Sequence, residues 1–270
     1  MQISPLVPAV PLSAGSNDTH DEVIQSLARG MEVLRAFGAG NDRMTIAEAA
    51  KVAGLTRAGA RRILLTLEKL GYVRSDGRHY SLTARVLELG QGFLAQPLWQ
   101  AVRPVLLSLA NTLNETASAG VLDGDDVVYT LRIRSSRLLH LELRAGAHLP
   151  AFACSMGRVL LASLPRVALD RYLRHATFTR FTKFTIVDPT ELRAKLQEVR
   201  EQGWCHVRDE IENGISGVSV PLIGPDGQTI AALNISTSSE RTSIRTVKTR
   251  LVPLLKDASA TIRKELELAQ

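Results

Sequence analysis

A chain of 270 residues that is 45% hydrophobic is long enough for two domains, each with a core of its own. A formal charge of +6 and a pI near 9.6 favour an anionic partner. An aromatic content of 4% argues against a single-strand binder that stacks bases on rings. Two cysteines exclude a disulfide framework and a four-thiolate zinc site, and no run of 18 apolar residues is present to span a bilayer. A reducing, cytoplasmic setting is the simplest expectation.

Residues 1–20 lack a basic leader and carry three prolines in MQISPLVPAVPL, so a disordered tail is expected there and not a signal peptide. In VIQSLARGMEVLRAF, Ile24, Leu27, Ala28, Met31, Leu34 and Phe37 lie on one side of a first helix, which is expected to pack on the elements that follow. GAGNDRM is a turn-rich connection. Thr45-Ile46-Ala47-Glu48 has the form of a capping box, opening a short helix that Gly54 ends. Thr56 then caps a second helix, with Ala60, Ile63, Leu64, Leu67 and Leu70 on its inner stripe. The outer face carries Arg57, Ala58, Arg61, Arg62 and Leu65, with no carboxylate before Glu68. Gly71 stops this helix, and YVRSDGRHYSL reads as a hairpin turning on Asp76-Gly77.

Cap, helix, turn, helix and basic hairpin in that order predict a winged helix-turn-helix over residues 21–82. Its expected partner is double-stranded operator DNA. The candidate contacts are Thr45, Thr56, Arg57, Ala58, Arg61 and Arg62, with Arg78 from the wing. A solvated arginine-rich helix face is the bland alternative. Residues 83–97, with Val86, Leu89 and Phe93 apolar, predict a linker helix that joins the domains or pairs with the same helix of another subunit.

Residues 98–270 read as mixed helix and strand. A helix over PLWQAVRPVLLSLANTLNETA leads to two strands around Asp123-Gly124-Asp125 and a third strand over LLHLELRAG. LPAFACSMGRVLLASLP runs from a loop into a short helix ended by Pro165, and a further helix covers RVALDRYLRHA. Asp188-Pro189 opens the next helix and Gly203 closes it. WCHVRDEI, GVSVPLI and TIAALNIST are strands, the last two joined at Gly224-Pro225-Asp226-Gly227. The end of the chain is a long amphipathic helix from Ser243 to Ala269, kinked at Pro253. Strand pairs joined by hairpins, with helices gathered around them, give an α+β fold whose sheet is largely antiparallel.

SLARGMEVLRAF, LTRAGARRILLTLEKLGYV, LPAFACSMGRVLLASLP and GISGVSVPLIGPDGQTIAALNIS together resemble the IclR family of bacterial transcriptional regulators. VLDGDDVVY and AALNIS are similar to the subgroup controlling aromatic-acid catabolism, whose members sense protocatechuate, 4-hydroxybenzoate, β-ketoadipate or muconate. The resemblance implies a winged-helix domain, a linker helix and a GAF-like effector domain, in a homodimer or a dimer of dimers. It implies contact with RNA polymerase where the regulator activates, and leaves repression of some other carboxylate pathway as the alternative. Carried over by segment, the effector candidates are Ser155, Met156, Gly157, Asp209, Glu210, Gly217, Ser219, Asn234 and Ser236. Some members have a Cys where Gly217 stands, which implies a roomier pocket here.

Physical chemistry supports part of that set independently. A small organic acid needs donors, and Ser155 as an N-cap leaves the N–H groups of Met156, Gly157 and Arg158 pointing outward. Asn234 and Ser236 share one sheet face at period two in an apolar strand; local backbone or water are their alternative partners. For Arg158 a surface salt bridge is the expectation. Cys154 reads as a structural thiol, His148 and His140 as structural histidines, and Asp123, Asp125 and Asp126 as turn residues. No metal site and no cofactor are expected. Neither a G-x-S-x-G elbow, a P-loop nor an H-E-x-x-H occurs, and adjacent Asp209 and Glu210 on a strand point apart, so no catalytic residue is assigned.

Overall fold

The computed structural model describes residues 23–38, 41–135 and 143–269. The expected tail, His140 and most of the expected strand over residues 138–146 lie outside them. The chain divides into two compact units between Phe93 and Leu94.

In the first unit, α1 (Gln25–Ala36) is followed by α2 (Ile46–Val52), α3 (Arg57–Lys69) and a hairpin of β1 (Val73–Ser75) and β2 (Tyr80–Leu82). Val33, Phe37, Met44, Ala49, Leu64, Leu67, Val73 and Tyr80 form its core. The expected stripe on α1 is only partly the inner one. Ile24, Leu27 and Met31 are 66%, 63% and 46% exposed, and Val33 is the fully buried residue. The helix carries apolar residues on two faces, and sequence periodicity does not say which one meets the core. Leu70 is likewise outside, as the C-cap of α3, with Gly71 at φ +82° continuing the turn. The hairpin turn is four residues long, since Ser75 pairs with Tyr80, and within it only Gly77 has a positive φ. Asp76 contributes its side chain: Oδ1 accepts from the N–H groups of Arg78 and His79.

The second stretch of helix begins as a 3₁₀ turn over Ala84–Leu87, becomes α4 (Glu88–Leu94) and gives way to α5 (Pro97–Leu113) at a proline in the first turn. The helix expected over PLWQAVRPVLLSLANTLNETA thus ends four residues early, where Asn114 takes φ +50°. Six strands follow: β3 (Thr116–Asp123), β4 (Asp126–Ile133), β5 (His148–Pro150), β6 (Cys205–Arg208), β7 (Ile215–Ile223) and β8 (Thr229–Ser238). Their order is β5-β4-β3-β8-β7-β6, antiparallel at every pair. Between β5 and β6 lie α6 (Ser155–Ser163), α7 (Arg166–His175) and α8 (Pro189–Gln202). The chain closes with a short turn α9 (Ile244–Thr246), a π turn over Val247–Leu251 and α10 (Val252–Leu268). Expected kinking at Pro253 therefore appears one turn earlier: proline has no N–H for the carbonyl of Thr249, and the ladder widens there instead.

Two faces of the sheet differ in chemistry. Ala117, Leu131, Val218, Leu233 and Ile235 meet α5 and α10 in one apolar core. On the other face, Ser118 lies opposite both Arg132 and Asn234, Asn234 opposite Ser219, and Ser219 opposite Cys205. Directly opposed residues share a face, so a polar row crosses the sheet beneath α6, which packs on β6, β7 and β8.

Candidate nucleic-acid interface and ligand site

The Thr45 amide and hydroxyl both donate to Glu48 Oε2, at 2.7 and 2.8 Å, and Glu48 N donates to Thr45 Oγ1 at 3.3 Å. Those bonds, the backbone one foremost, hold the Glu48 carboxyl below its ordinary value. Both donors of Thr45 are spent inside the box, so it fixes the start of α2. Thr56 accepts from Gly59 N at 3.1 Å and fixes the start of α3. Arg57, Ala58, Arg61 and Arg62 are exposed on that helix. Among the described residues the side chains of these arginines and of Arg78 make no ion pair or hydrogen bond. Nearby cations are committed: Arg43 to Asp76, Arg74 to Ser81, Arg85 to the Leu70 carbonyl and to Glu88. Asp76 is held down to about 2 by the N–H groups of His79 and Arg78, with Arg43 adding to them. The wing is therefore braced internally, while four guanidinium groups are left free to meet phosphates or base edges.

In the second unit, Ser155, Ser219, Asn234 and Ser236 come together under α6. Ser155 Oγ and Ser219 Oγ lie 2.8 Å apart, and Asn234 Nδ2 reaches both hydroxyls at 3.1 and 3.0 Å and the Val218 carbonyl at 3.2 Å. Ser236 Oγ donates to Asn234 Oδ1 at 2.7 Å. Gly217 completes the group by its lack of a side chain: a Cβ there would stand 2.7 Å from Ser155 Oγ and 3.3 Å from Asn234 Nδ2. The expectation of extra room at Gly217 is corrected by this contact, because Ser155 already occupies the space.

Further expectations change. Cys154, not Ser155, is the N-cap of α6, its Sγ accepting from Gly157 N at 3.4 Å. Burial pushes the Cys154 thiol up to about 11 and Cys205 to about 12, so both are structural thiols. Gly157 is a packing residue, since a Cβ would sit 2.1 Å from the Ala151 carbonyl oxygen, and Met156 reaches over Gly120. Arg158 is no surface residue: it is 1% exposed, forks onto Glu210 at 2.7 and 2.6 Å, and sends Nε to the Phe152 carbonyl. Glu210 Oε2 also accepts from Ile186 N. Asp209 turns the chain at φ +60° and accepts from Gly214 N and Ser239 Oγ, both at 2.7 Å. That bend ends β6 at Arg208, three residues short of the end of the strand expected over WCHVRDEI. Neither acid bonds to the serine–asparagine group. Asp126, raised by burial, faces His148 Nδ1 at 3.6 Å.

Sequence reasoning passed over Arg132, Ser118 and Tyr129. Arg132 ends its row with Nη1 3.4 Å from Ser118 Oγ, and its guanidinium stands 5.9 Å from the Tyr129 ring centre. A bulge caused the omission. The register shifts between Ala119 and Gly120, so Ser118 opposes Arg132 while Gly120 opposes Tyr129, and period two misplaces Arg132 by one face. Two open clefts, of about 330 and 580 Å³, lie toward the other end of α6 and against α7 and α8, and none of these polar residues lines them. Among the described residues no three His, Cys, Asp or Glu side chains gather as metal ligands, and no helix is long and apolar enough to cross a membrane.

The family model described as the IclR helix-turn-helix domain matches residues 26–77, and that of the bacterial transcriptional regulator IclR C-terminal domain matches residues 94–264. The chain is 40% identical to the Pca regulon regulatory protein of Pseudomonas putida, over 96% of this chain and 89% of that one. It is 31% identical to the p-hydroxybenzoate hydroxylase transcriptional activator of Acinetobacter baylyi, over 90% and 92%. Its fold matches that of an IclR homologue from Microbacterium hydrocarbonoxydans complexed with 4-hydroxybenzoate, at a TM-score of 0.80 and 25% identity, over 90% of this chain and 99% of that one.

Proposed function

The chain belongs to the IclR family of bacterial transcriptional regulators, and on that premise we propose that it controls an aromatic-acid catabolic operon from the bacterial cytoplasm. The first unit, with α3 in the major groove, reads double-stranded operator DNA. The observation that carries this is the set of exposed, uncommitted guanidinium groups on Arg57, Arg61, Arg62 and Arg78 beside a wing whose other charges are paired. Thr56 and Ala58 sit where α3 starts and touch backbone and base edge.

The second unit takes a small aromatic acid on the polar face of its sheet, where Ser155, Ser219, Asn234 and Ser236 supply the hydrogen bonds and Met156 an apolar wall. Gly157, Asp209, Glu210 and Gly217 shape this site through backbone packing and loop anchoring. The regulator of the Pca regulon and the 4-hydroxybenzoate-bound homologue support an aromatic acid as ligand. Ile24 just before α1, Leu27 and Met31 on it, and Leu87 and Leu89 before and in α4 are large, apolar and exposed, which supports self-association as a homodimer or dimer of dimers on a palindromic operator. As an activator it additionally contacts RNA polymerase.

Fluorescence anisotropy tests both halves. Labelled DNA from the gene's own upstream region is titrated at fixed salt, with and without protocatechuate, 4-hydroxybenzoate and β-ketoadipate. Binding that survives random-sequence competitor and shifts with one of these acids is the expected result. Binding wholly lost to competitor would reduce the interaction to nonspecific electrostatics and refute the reading.

A further inference from the structure

Burying a guanidinium is costly unless its charge and its donors are met, because it stays ionised and offers five N–H groups and no acceptor. Elsewhere the second unit meets that demand. Arg158 has both oxygens of Glu210 and the Phe152 carbonyl. Arg132 is the exception. Its Nε is enclosed without an acceptor, its one bond is the long contact to Ser118 Oγ, and no carboxylate pairs with it among the described residues.

We propose that Arg132 is the anchor that recognises the ligand's carboxylate, so that this face selects an organic acid by its negative charge. The proposal rests on the effector reading above and adds the group that reads the acid. The Tyr129 ring backs the guanidinium, and Ser118 stands beside it with an Oγ that is fully buried. From there the polar row continues to Asn234 and Ser219, while Gly120, opposite Tyr129, is covered by the Met156 methyl, with Val127 and the Val128 carbonyl closing in beside it. A carboxylate forked onto Nε and Nη, admitted as the flexible Met156 side chain swings off Gly120, completes the donor set of Arg132 as Glu210 completes that of Arg158. Burial, more than neighbouring Arg134, works against the charge of Arg132, and a bound anion reverses that penalty.

Isothermal titration of the full-length protein with 4-hydroxybenzoate and its neutral analogue 4-hydroxybenzamide tests the assignment. Wild-type protein is expected to prefer the acid by about tenfold or more, the range of a charge-assisted hydrogen bond. In Arg132→Met, affinity for the acid should fall about ten- to a hundredfold while that for the amide stays within about threefold, because only the charge partner is gone. Arg132→Lys keeps the charge without the fork and should fall between the two. An unchanged acid-to-amide ratio in Arg132→Met overturns the anchor and leaves the effector reading standing. A wild-type protein that binds neither 4-hydroxybenzoate, protocatechuate nor β-ketoadipate overturns both. Should Arg132→Met fail to fold, the wild-type ratio and Arg132→Lys still decide, a ratio near one refuting the anchor.

Discussion

Glu210→Gln tests whether the α6 end of the proposed ligand face is held by charge. Glu210 and Arg158 are 8% and 2% exposed at their side chains, and their two bonds at 2.7 and 2.6 Å are the fork geometry that guanidinium and carboxylate make best. The substitution keeps the shape of Glu210 and its acceptor for Ile186 N but leaves a buried cation without its counter-charge. Breaking such a pair from one side costs about 3–5 kcal/mol. With a urea slope of about 2–3 kcal/mol per molar for a unit of this size, the midpoint should drop by about 1–2.5 M. Both tryptophans, Trp99 and Trp204, lie beyond Phe93, so intrinsic fluorescence reports the second unit alone. The double variant Arg158→Met/Glu210→Leu removes both charges and should lose less than the two single losses added together, though the Phe152 carbonyl and Ile186 N–H are orphaned in it. A midpoint within about 0.3 M of the parent for Glu210→Gln, or singles that add to the double, would refute the argument that this pair clamps α6.

Other expected outcomes follow from single contacts. Arg61→Ala should weaken operator binding by about tenfold, the worth of a good base contact, with ligand affinity unchanged; equal operator affinity would remove Arg61 from the interface. Gly157→Ala places a methyl 2.1 Å from the Ala151 oxygen and 2.3 Å from its Cα, so the backbone must move. A stability loss above about 3 kcal/mol is expected, and a loss below about 1 kcal/mol would show that the start of α6 gives way easily. His206 is held below its ordinary value of about 6.5, first by burial and then by Arg208. A depressed histidine favours the neutral folded form, so its contribution is complete above that value and is lost as pH falls from there toward the folded one. Thermal melts at pH 7.5 and 5.5 should therefore differ less for His206→Gln than for the parent, and an equal difference would refute it.

Local chemistry was legible wherever one residue type does one thing. The Thr45–Glu48 box, the caps at Thr56 and Asp188 and the stop at Gly203 all appear as their residues dictate. So do the strand pairs around Gly124 and around Gly224–Gly227, and the antiparallel sheet they build. Expectations failed where a choice depended on distant packing. Val33 rather than Met31 faces the first core because both lie on apolar faces of α1. Cys154 displaced Ser155 as cap because the strand before it leads through a 3₁₀ turn that sets the helix start one residue earlier. Arg158 was placed at the surface because its partner, Glu210, is 52 residues away in the chain.

The proposed ligand face shows the same division. Asn234 and Ser236 were found together because they are two apart on one strand, and the structure gives each a hydrogen bond to the other side chain. Their partners Ser155 and Ser219 bond to Asn234 across 79 and 15 residues, and in this arrangement the group satisfies itself. An acid bound as proposed must exchange those bonds for its own, so the hydroxyls and the amide would contribute selectivity of shape and little net affinity. In the proposed anchor, Arg132, two strands further along the row, has only the long contact to Ser118 Oγ, and its Nε would take a carboxylate without giving up a protein bond. A ligand shifts a conformational equilibrium only by its difference in affinity between two states. On the proposed reading, the residues that rearrange to admit it, Ser155 at the start of α6 and Ser219 and Asn234 on the sheet, are where that difference arises, while Arg132 supplies the affinity. Ser155→Ala breaks only the first of these, and should alter how far saturating 4-hydroxybenzoate shifts operator affinity while changing the affinity for 4-hydroxybenzoate itself by less than about tenfold. A variant with the parent's response would place the rearrangement elsewhere on the face.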